Sequence, residues 1–170
     1  HLQEVRRAGH RTASELVVGT WVLVEVRERT HDTGELWLGR CVAVAEWSGD
    51  QLTVWESTQG IYRVRDGVVS LESDELEGPN GLAFSPDEKK LYVVASRAEP
   101  HRTILSYDVS ADGMKLSDGK VLIDAGPGGS PDGFRVDVDG NLWCGWGMGT
   151  PELDGVRIFN QQGKPIGHID

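Results

Sequence analysis

Apolar residues come in short runs cut by Gly, Pro, Asn, Asp and Ser, without the helical-period stripes of a helix bundle or helical repeat. Runs of this length, rich in Val, Ile, Leu and Trp, read as strands bounded by turns. Over the first part of the chain the pattern predicts strands at Val17–Val26, Glu35–Leu38, Val42–Trp47 and Leu52–Trp55. Ser48-Gly49-Asp50, between the last two, is a hairpin signal, because Gly and Asp accept the backbone twist of a tight turn. Glu4-Val5-Arg6-Arg7-Ala8 has helix-forming residues but is too short to hold a helix securely.

The second part repeats itself. Pro79-Asn80-Gly81-Leu82-Ala83-Phe84-Ser85-Pro86-Asp87, leading to Leu91-Tyr92-Val93, matches Pro131-Asp132-Gly133-Phe134-Arg135-Val136-Asp137-Val138-Asp139, leading to Leu142-Trp143-Cys144, at an offset of 52 residues. Ile104-Leu105-Ser106-Tyr107-Asp108 and Val156-Arg157-Ile158-Phe159-Asn160 keep the same offset. Two separate segments sharing one step mark a repeated unit. The first copy reads as strands at Leu82–Phe84, Leu91–Val94, Thr103–Tyr107 and Val121–Ile123. The second reads as Phe134–Val136, Leu142–Cys144, Val156–Phe159 and Pro165–Ile169. Four antiparallel strands in a repeat of about 40–50 residues is the pattern of a β-propeller blade. Ile61–Val64 and Val68–Leu71, joined across Asp66-Gly67, fit the outer pair of a preceding blade. The expected fold is all-β: about two to three blades of four antiparallel strands, an incomplete ring where natural propellers take about 4–8 blades.

Composition sharpens this picture at one point. Residues 1–65 hold 8 Arg, no Lys and no Pro, whereas residues 66–170 hold all 7 Pro and 16 of the 22 Gly. The seam predicts a strand-rich segment over residues 1–59, either foreign or a degenerate blade, followed by propeller blades over residues 60–170. A length of 170 residues is enough for a real core. A formal charge of −10 disfavours nucleic-acid partners, since phosphate contact needs clustered Lys and Arg. No run approaches the roughly 20 apolar residues of a membrane-spanning helix. Cys41 and Cys144 are too few for a disulfide scaffold and hint at a reducing compartment. The chain opens on His1 with no signal-like segment, reads as a fragment, and leaves cytoplasmic and periplasmic locations both open.

Candidate chemistry sits in the repeated turns. Asn80 and Asp132 occupy equivalent positions, each after Pro and before Gly. The loop entering each innermost propeller strand faces the central channel, so the two project side by side toward the axis. A carboxylate and an amide carbonyl suit a hard divalent cation such as Ca²⁺ or Mg²⁺, and Zn²⁺ also accepts carboxylate. Asn or Asp before Gly is equally ordinary turn chemistry.

Glu77-Gly78-Pro79-Asn80-Gly81-Leu82-Ala83-Phe84-Ser85-Pro86-Asp87, Ser130-Pro131-Asp132-Gly133-Phe134-Arg135-Val136-Asp137 and Gly140-Asn141-Leu142-Trp143 resemble the gluconolactonase family, which includes the senescence-marker-30 (regucalcin-like) proteins. The resemblance spans about residues 60–170. It implies part of a six-bladed propeller and metal-dependent hydrolysis of a sugar lactone, with one divalent cation as cofactor, Ca²⁺ before Zn²⁺ or Mg²⁺. It implies Asn80 and Asp132 as metal ligands, and Asp132 also as the catalytic general base. Trp146, in Gly145-Trp146-Gly147-Met148-Gly149, would offer a flat face to a sugar ring at the channel mouth. Residues 1–59 hold no counterpart of the family's first-blade Glu ligand, so impaired catalysis is expected. The alternative is a non-catalytic propeller that binds calcium or a small molecule. Residues 42–60 more faintly resemble the molybdenum-binding subunit of xanthine dehydrogenase and aldehyde oxidoreductase, although so short a segment is too small to hold a molybdopterin.

Other motifs read as structure. Asp137-Val138-Asp139-Gly140-Asn141 echoes a calcium loop but lacks the spaced Glu, and is expected to be a hairpin turn. Gly126-Pro127-Gly128-Gly129-Ser130 is a loop without phosphate-binding context. Trp143 is expected to point into the core and Cys144 to be a buried thiol.

Overall fold

The structure, a computed structural model, describes residues 20–29, 36–48, 51–56, 59–65, 68–147 and 151–170. Every regular element among these residues is a β-strand. The chain divides into two units, His1–Glu75 and Leu76–Asp170.

The first unit is one antiparallel sheet of β1 (Thr20–Arg29), β2 (Leu36–Ser48), β3 (Gln51–Glu56), β4 (Ile61–Arg65) and β5 (Val68–Ser73), in the order β1-β2-β4-β5 with β3 also paired to β2. β2 is a single strand where the pattern predicts two. The chain runs through Gly39-Arg40-Cys41 without breaking, because shifts of register against β1, one of them opposite Leu23 and Val24, absorb the irregularity. Bulges of this kind bend a strand without ending it. β2 pairs antiparallel with β3, with Ser48 opposite Gln51; the expected turn residues Gly49 and Asp50 lie outside the described residues. In β4, Ile61 is fully buried, and Arg63, also buried, donates from Nε to Glu72 Oε1 at 3.0 Å. A buried guanidinium requires such a partner. The short N-terminal stretch Glu4–Ala8 and the start of the first expected strand lie outside the described residues.

The second unit is the repeat. β6 (Pro79–Phe84), β7 (Lys90–Ala95), β8 (Thr103–Val109) and β9 (Leu116–Asp124) form one four-stranded meander. β10 (Phe134–Val136), β11 (Leu142–Trp146), β12 (Gly155–Phe159) and β13 (Pro165–Ile169) form the other. All eight strands contain the predicted segments. Ala83, Tyr92, Val94, Ile104 and Ile123 from the first sheet pack with Phe134, Leu142, Cys144 and Phe159 from the second. Removing each large apolar side chain from water contributes about 1.5–3 kcal/mol, so this inter-sheet layer is what joins the two meanders.

The turns are organised by short polar side chains. Asp137, in the β10–β11 turn, accepts from Asp139 N at 3.0 Å, Asn141 N at 2.7 Å, Asn141 Nδ2 at 2.9 Å and Trp143 Nε1 at 2.9 Å. These bonds, led by the indole N–H of Trp143, hold its carboxyl below the usual carboxylate range. The Asp137–Asn141 segment is thus a hairpin turn, as expected. Trp143 overturns its expectation: it is 40% exposed. Side chains alternate across a strand, and its neighbours Leu142 and Cys144 take the inward places at 0% exposure. Burial pushes the Cys144 thiol up to about 12.

Candidate functional site

The predicted pair comes together. Asn80 Nδ2 donates to Asp132 Oδ1 at 2.6 Å across 52 residues of sequence. Each residue lies where the inner strand of its sheet begins, and each sits at an irregularity of the ladder. Between Pro79, opposite Ala95, and Leu82, opposite Val93, β6 carries one residue more than β7. In the second sheet Asp132 N donates to Gly145 O at 3.1 Å while Gly145 N donates to Gly133 O at 2.9 Å, so Asp132 and Gly133 share one opposing residue. An extra residue in a strand re-aims the side chains beside it. Here the two extra residues aim Asn80 and Asp132 at each other.

Gly81 makes this approach possible. A Cβ there would lie 2.3 Å from Asp132 O and 3.0 Å from Gly133 Cα. The backbones of the two inner strands therefore touch where only hydrogen fits. Pro79 and Pro131, immediately before the two polar residues, are both fully buried and anchor the strand entries.

Behind the pair the loops are cross-braced. Ser96, at the start of the β7–β8 connection, donates to Gly78 O from its backbone N at 2.9 Å and from Oγ at 2.7 Å. Arg97 N donates to Glu77 O at 3.0 Å. Arg102, at the end of the same connection, donates from Nε to Ser96 O at 3.0 Å and from Nη1 to Ser130 Oγ. The Arg102 and Ser130 contacts were not legible in the sequence, since neither residue belongs to the repeated motif.

Asn80 is half-buried and Asp132 exposed, so the pair is open to a ligand from solvent. Its donors fit a hard cation in kind: a carboxylate, and an amide whose oxygen faces the same point when the amide end turns over. They do not by themselves fill a coordination shell, because no three His, Cys, Asp or Glu side chains gather at one point among the described residues. Trp146 is part-exposed and packs against the core, its ring 5.4 Å from that of Phe159 at 37°. Part of its indole is thereby committed to packing.

Away from this pair, a concavity of about 570 Å³ opens between the two sheets and is lined by Ser85, Lys90, Tyr92, Asp108 and Gln161 among others. Its polar groups are largely engaged with the protein. Lys90 Nζ bonds Asp108 Oδ1 at 2.6 Å, Gln161 Nε2 bonds Asp139 O at 2.8 Å, and Ser85 Oγ bonds Asp87 Oδ1 at 2.7 Å.

Four-stranded meanders packed face to face, with polar residues converging from successive inner-strand entries, define a protein of the β-propeller class. Residues 28–170 match the model of the SMP-30/Gluconolactonase/LRE-like region, and the chain belongs to that family. The match includes residues 42–60. A gluconolactonase of Zymomonas mobilis is 38% identical over 118 residues, covering 65% of this chain and 31% of its own length. Among solved structures, a gluconolactonase from Xanthomonas campestris is 28% identical with a TM-score of 0.60, covering 99% of this chain and 51% of that one. Regucalcin from Agrobacterium tumefaciens, described as a calcium-binding protein, shares the fold at 21% identity and a TM-score of 0.63, covering 92% of this chain and 48% of that one. The chain thus spans about a third of the curated relative and half of each solved chain.

Proposed function

We propose that the chain carries part of a lactone-hydrolysing site in which Asn80 and Asp132 hold one divalent cation, Ca²⁺ before Zn²⁺ or Mg²⁺. The observation that carries the reading is the contact between these two side chains from equivalent turns of the repeat. A bound cation would supply positive charge that polarises a lactone carbonyl and stabilises the charge developing on its oxygen. Asp132, with its carboxylate open to solvent, orients a water against that carbonyl and accepts the proton the water loses. Asn80 Nδ2 holds the carboxylate before the cation enters, and its amide then turns to offer Oδ1 as a ligand. The exposed part of the Trp146 indole lies along a sugar ring of the substrate. A site with two protein donors holds a cation weakly compared with the six to eight oxygens that Ca²⁺ takes, so the turnover of this chain is expected to be slow.

Hydrolysis of a sugar δ-lactone, followed by pH-stat with the spontaneous rate subtracted, tests the reading. The expected result is turnover that EDTA abolishes, that a divalent cation restores, and that Asp132→Ala lowers by at least about 100-fold. Turnover indifferent to EDTA or to Asp132→Ala would overturn it. The small donor set also favours a second reading, a cation-binding module without catalysis, which predicts Ca²⁺ binding and no turnover in the same assay.

A further inference from the structure

We propose that Arg102 is a positioning residue, a single guanidinium that locks the Asn80 loop and the Asp132 loop into one frame. The inference rests on the lactonase reading for its consequence and on hydrogen bonds alone for its geometry.

The connections run in sequence. The strand entry carrying Asn80 is held through the carbonyls of Glu77 and Gly78, which accept from Arg97 N, Ser96 N and Ser96 Oγ. Ser96 returns its own carbonyl to Arg102 Nε at 3.0 Å. The other arm of Arg102 reaches Ser130 Oγ, two residues before Asp132. The backbone of Ser130 is pinned in turn, accepting from Gly147 N at 3.3 Å. Arg102 O accepts from Ala125 N at 3.0 Å, which fixes the start of the same loop. Both strand entries thereby converge on one side chain.

The residue types suit that task. Ser130 is only 4% exposed, and a buried hydroxyl left without a partner carries a full desolvation cost. Among the described residues Arg102 makes no ion pair with a carboxylate; its bonds go to a neutral carbonyl and a neutral hydroxyl. Its fork presents two donors in a fixed plane, whereas the single ammonium of Lys cannot span both acceptors. Glycines do not supply the stiffness: residues 126–129 contain three, with Gly126 and Gly128 at φ of 70° and 75°. A loop of that composition needs an external tether to deliver Asp132 to one place.

The test uses the full chain and the variants Arg102→Ala, Arg102→Lys and Ser130→Ala. Amide hydrogen exchange is read at Asp132, Gly145 and Gly147, with Val93 and Val94 in the buried centre of β7 as reference. Ca²⁺ affinity is read by titration calorimetry with the metal alone. Arg102→Ala is expected to speed exchange at Asp132 and Gly147 selectively and to weaken Ca²⁺ binding about 10- to 100-fold, the usual effect of losing a group that orients a ligand. Ser130→Ala, which removes one hydroxyl, should act in the same direction. Arg102→Lys should recover part of the affinity. Unchanged exchange at Asp132, acceleration spread equally to Val93 and Val94, or loosened loops with intact Ca²⁺ affinity would each overturn the proposal. A wild-type chain that neither binds Ca²⁺ nor hydrolyses a lactone would defeat the lactonase reading instead, and the exchange data would still decide whether the brace holds the two loops.

Discussion

Gly81 and Gly133 occupy equivalent places in the repeat, yet alanine should act on them oppositely. Neither has a positive φ among the described glycines, so backbone strain is the same at both. In the absence of a clash, Gly→Ala stabilises by about 0.4–1 kcal/mol through the unfolded chain. At Gly133 a Cβ meets nothing within 4 Å, and the variant should be neutral to slightly stabilised. At Gly81 the new Cβ would lie 2.3 Å from Asp132 O, where ordinary contact begins near 3.4 Å. The Asp132 backbone must therefore recede by about 1 Å, and overpacking of this kind costs about 1–3 kcal/mol. Overpacking wins over the entropic gain, leaving a net loss of about 1–2 kcal/mol and a melting temperature lower by about 3–8 °C for a chain this size. If Asp132 acts as the proposed general base, a displacement of about 1 Å there should cost about 100-fold in rate. Thermal unfolding by circular dichroism and lactone hydrolysis on the Gly81→Ala and Gly133→Ala pair measure both effects. A Gly81→Ala chain that melts and turns over like Gly133→Ala would refute the claim that the two inner strands touch at this point.

Asp137→Ala should lower the melting temperature at neutral pH by freeing the four groups that bond its carboxylate. Because that carboxyl is depressed in the folded state, its contribution is complete above its unfolded pKa and fades as pH falls through the folded one. The gap between wild type and variant should then shrink below about pH 4; a gap that widens on acidification would contradict this. Cys144, with a thiol pushed up to about 12 by burial, should resist iodoacetamide at pH 8 in the native chain and react once denaturant unfolds it. Peptide mass spectrometry distinguishes it from Cys41, and rapid native labelling at Cys144 would count against the packed inter-sheet core.

What the sequence disclosed follows from where its signals are periodic. The shared offset places Asn80 and Asp132 on equivalent turns, and the same hairpin chemistry written twice marks the eight strands of the repeat. The ladder irregularities that turn the pair face to face were not legible, since an extra residue leaves no mark in a pattern of apolar positions. Trp143 shows the cost of reading residues singly. Once Leu142 and Cys144 are inward, period-two alternation forces the residue between them outward, and Asp137 then captures its indole N–H. Over β2, Gly39-Arg40 reads as a break because Gly weakens a strand, yet pairing with β1 on one edge and with β3 and β4 on the other carries the strand through. Arg102 escaped because long-range bonds from a connecting loop have no periodic signature at all.

Whether Asn80 and Asp132 share one ion is decided by anomalous diffraction from crystals soaked in a lanthanide that substitutes for Ca²⁺. The predicted result is one strong peak about 2.3–2.6 Å from an oxygen of each side chain, with the Asn80 amide turned from donor to ligand. A map in which the ion sits elsewhere, while Asn80 still donates to Asp132, would contradict it.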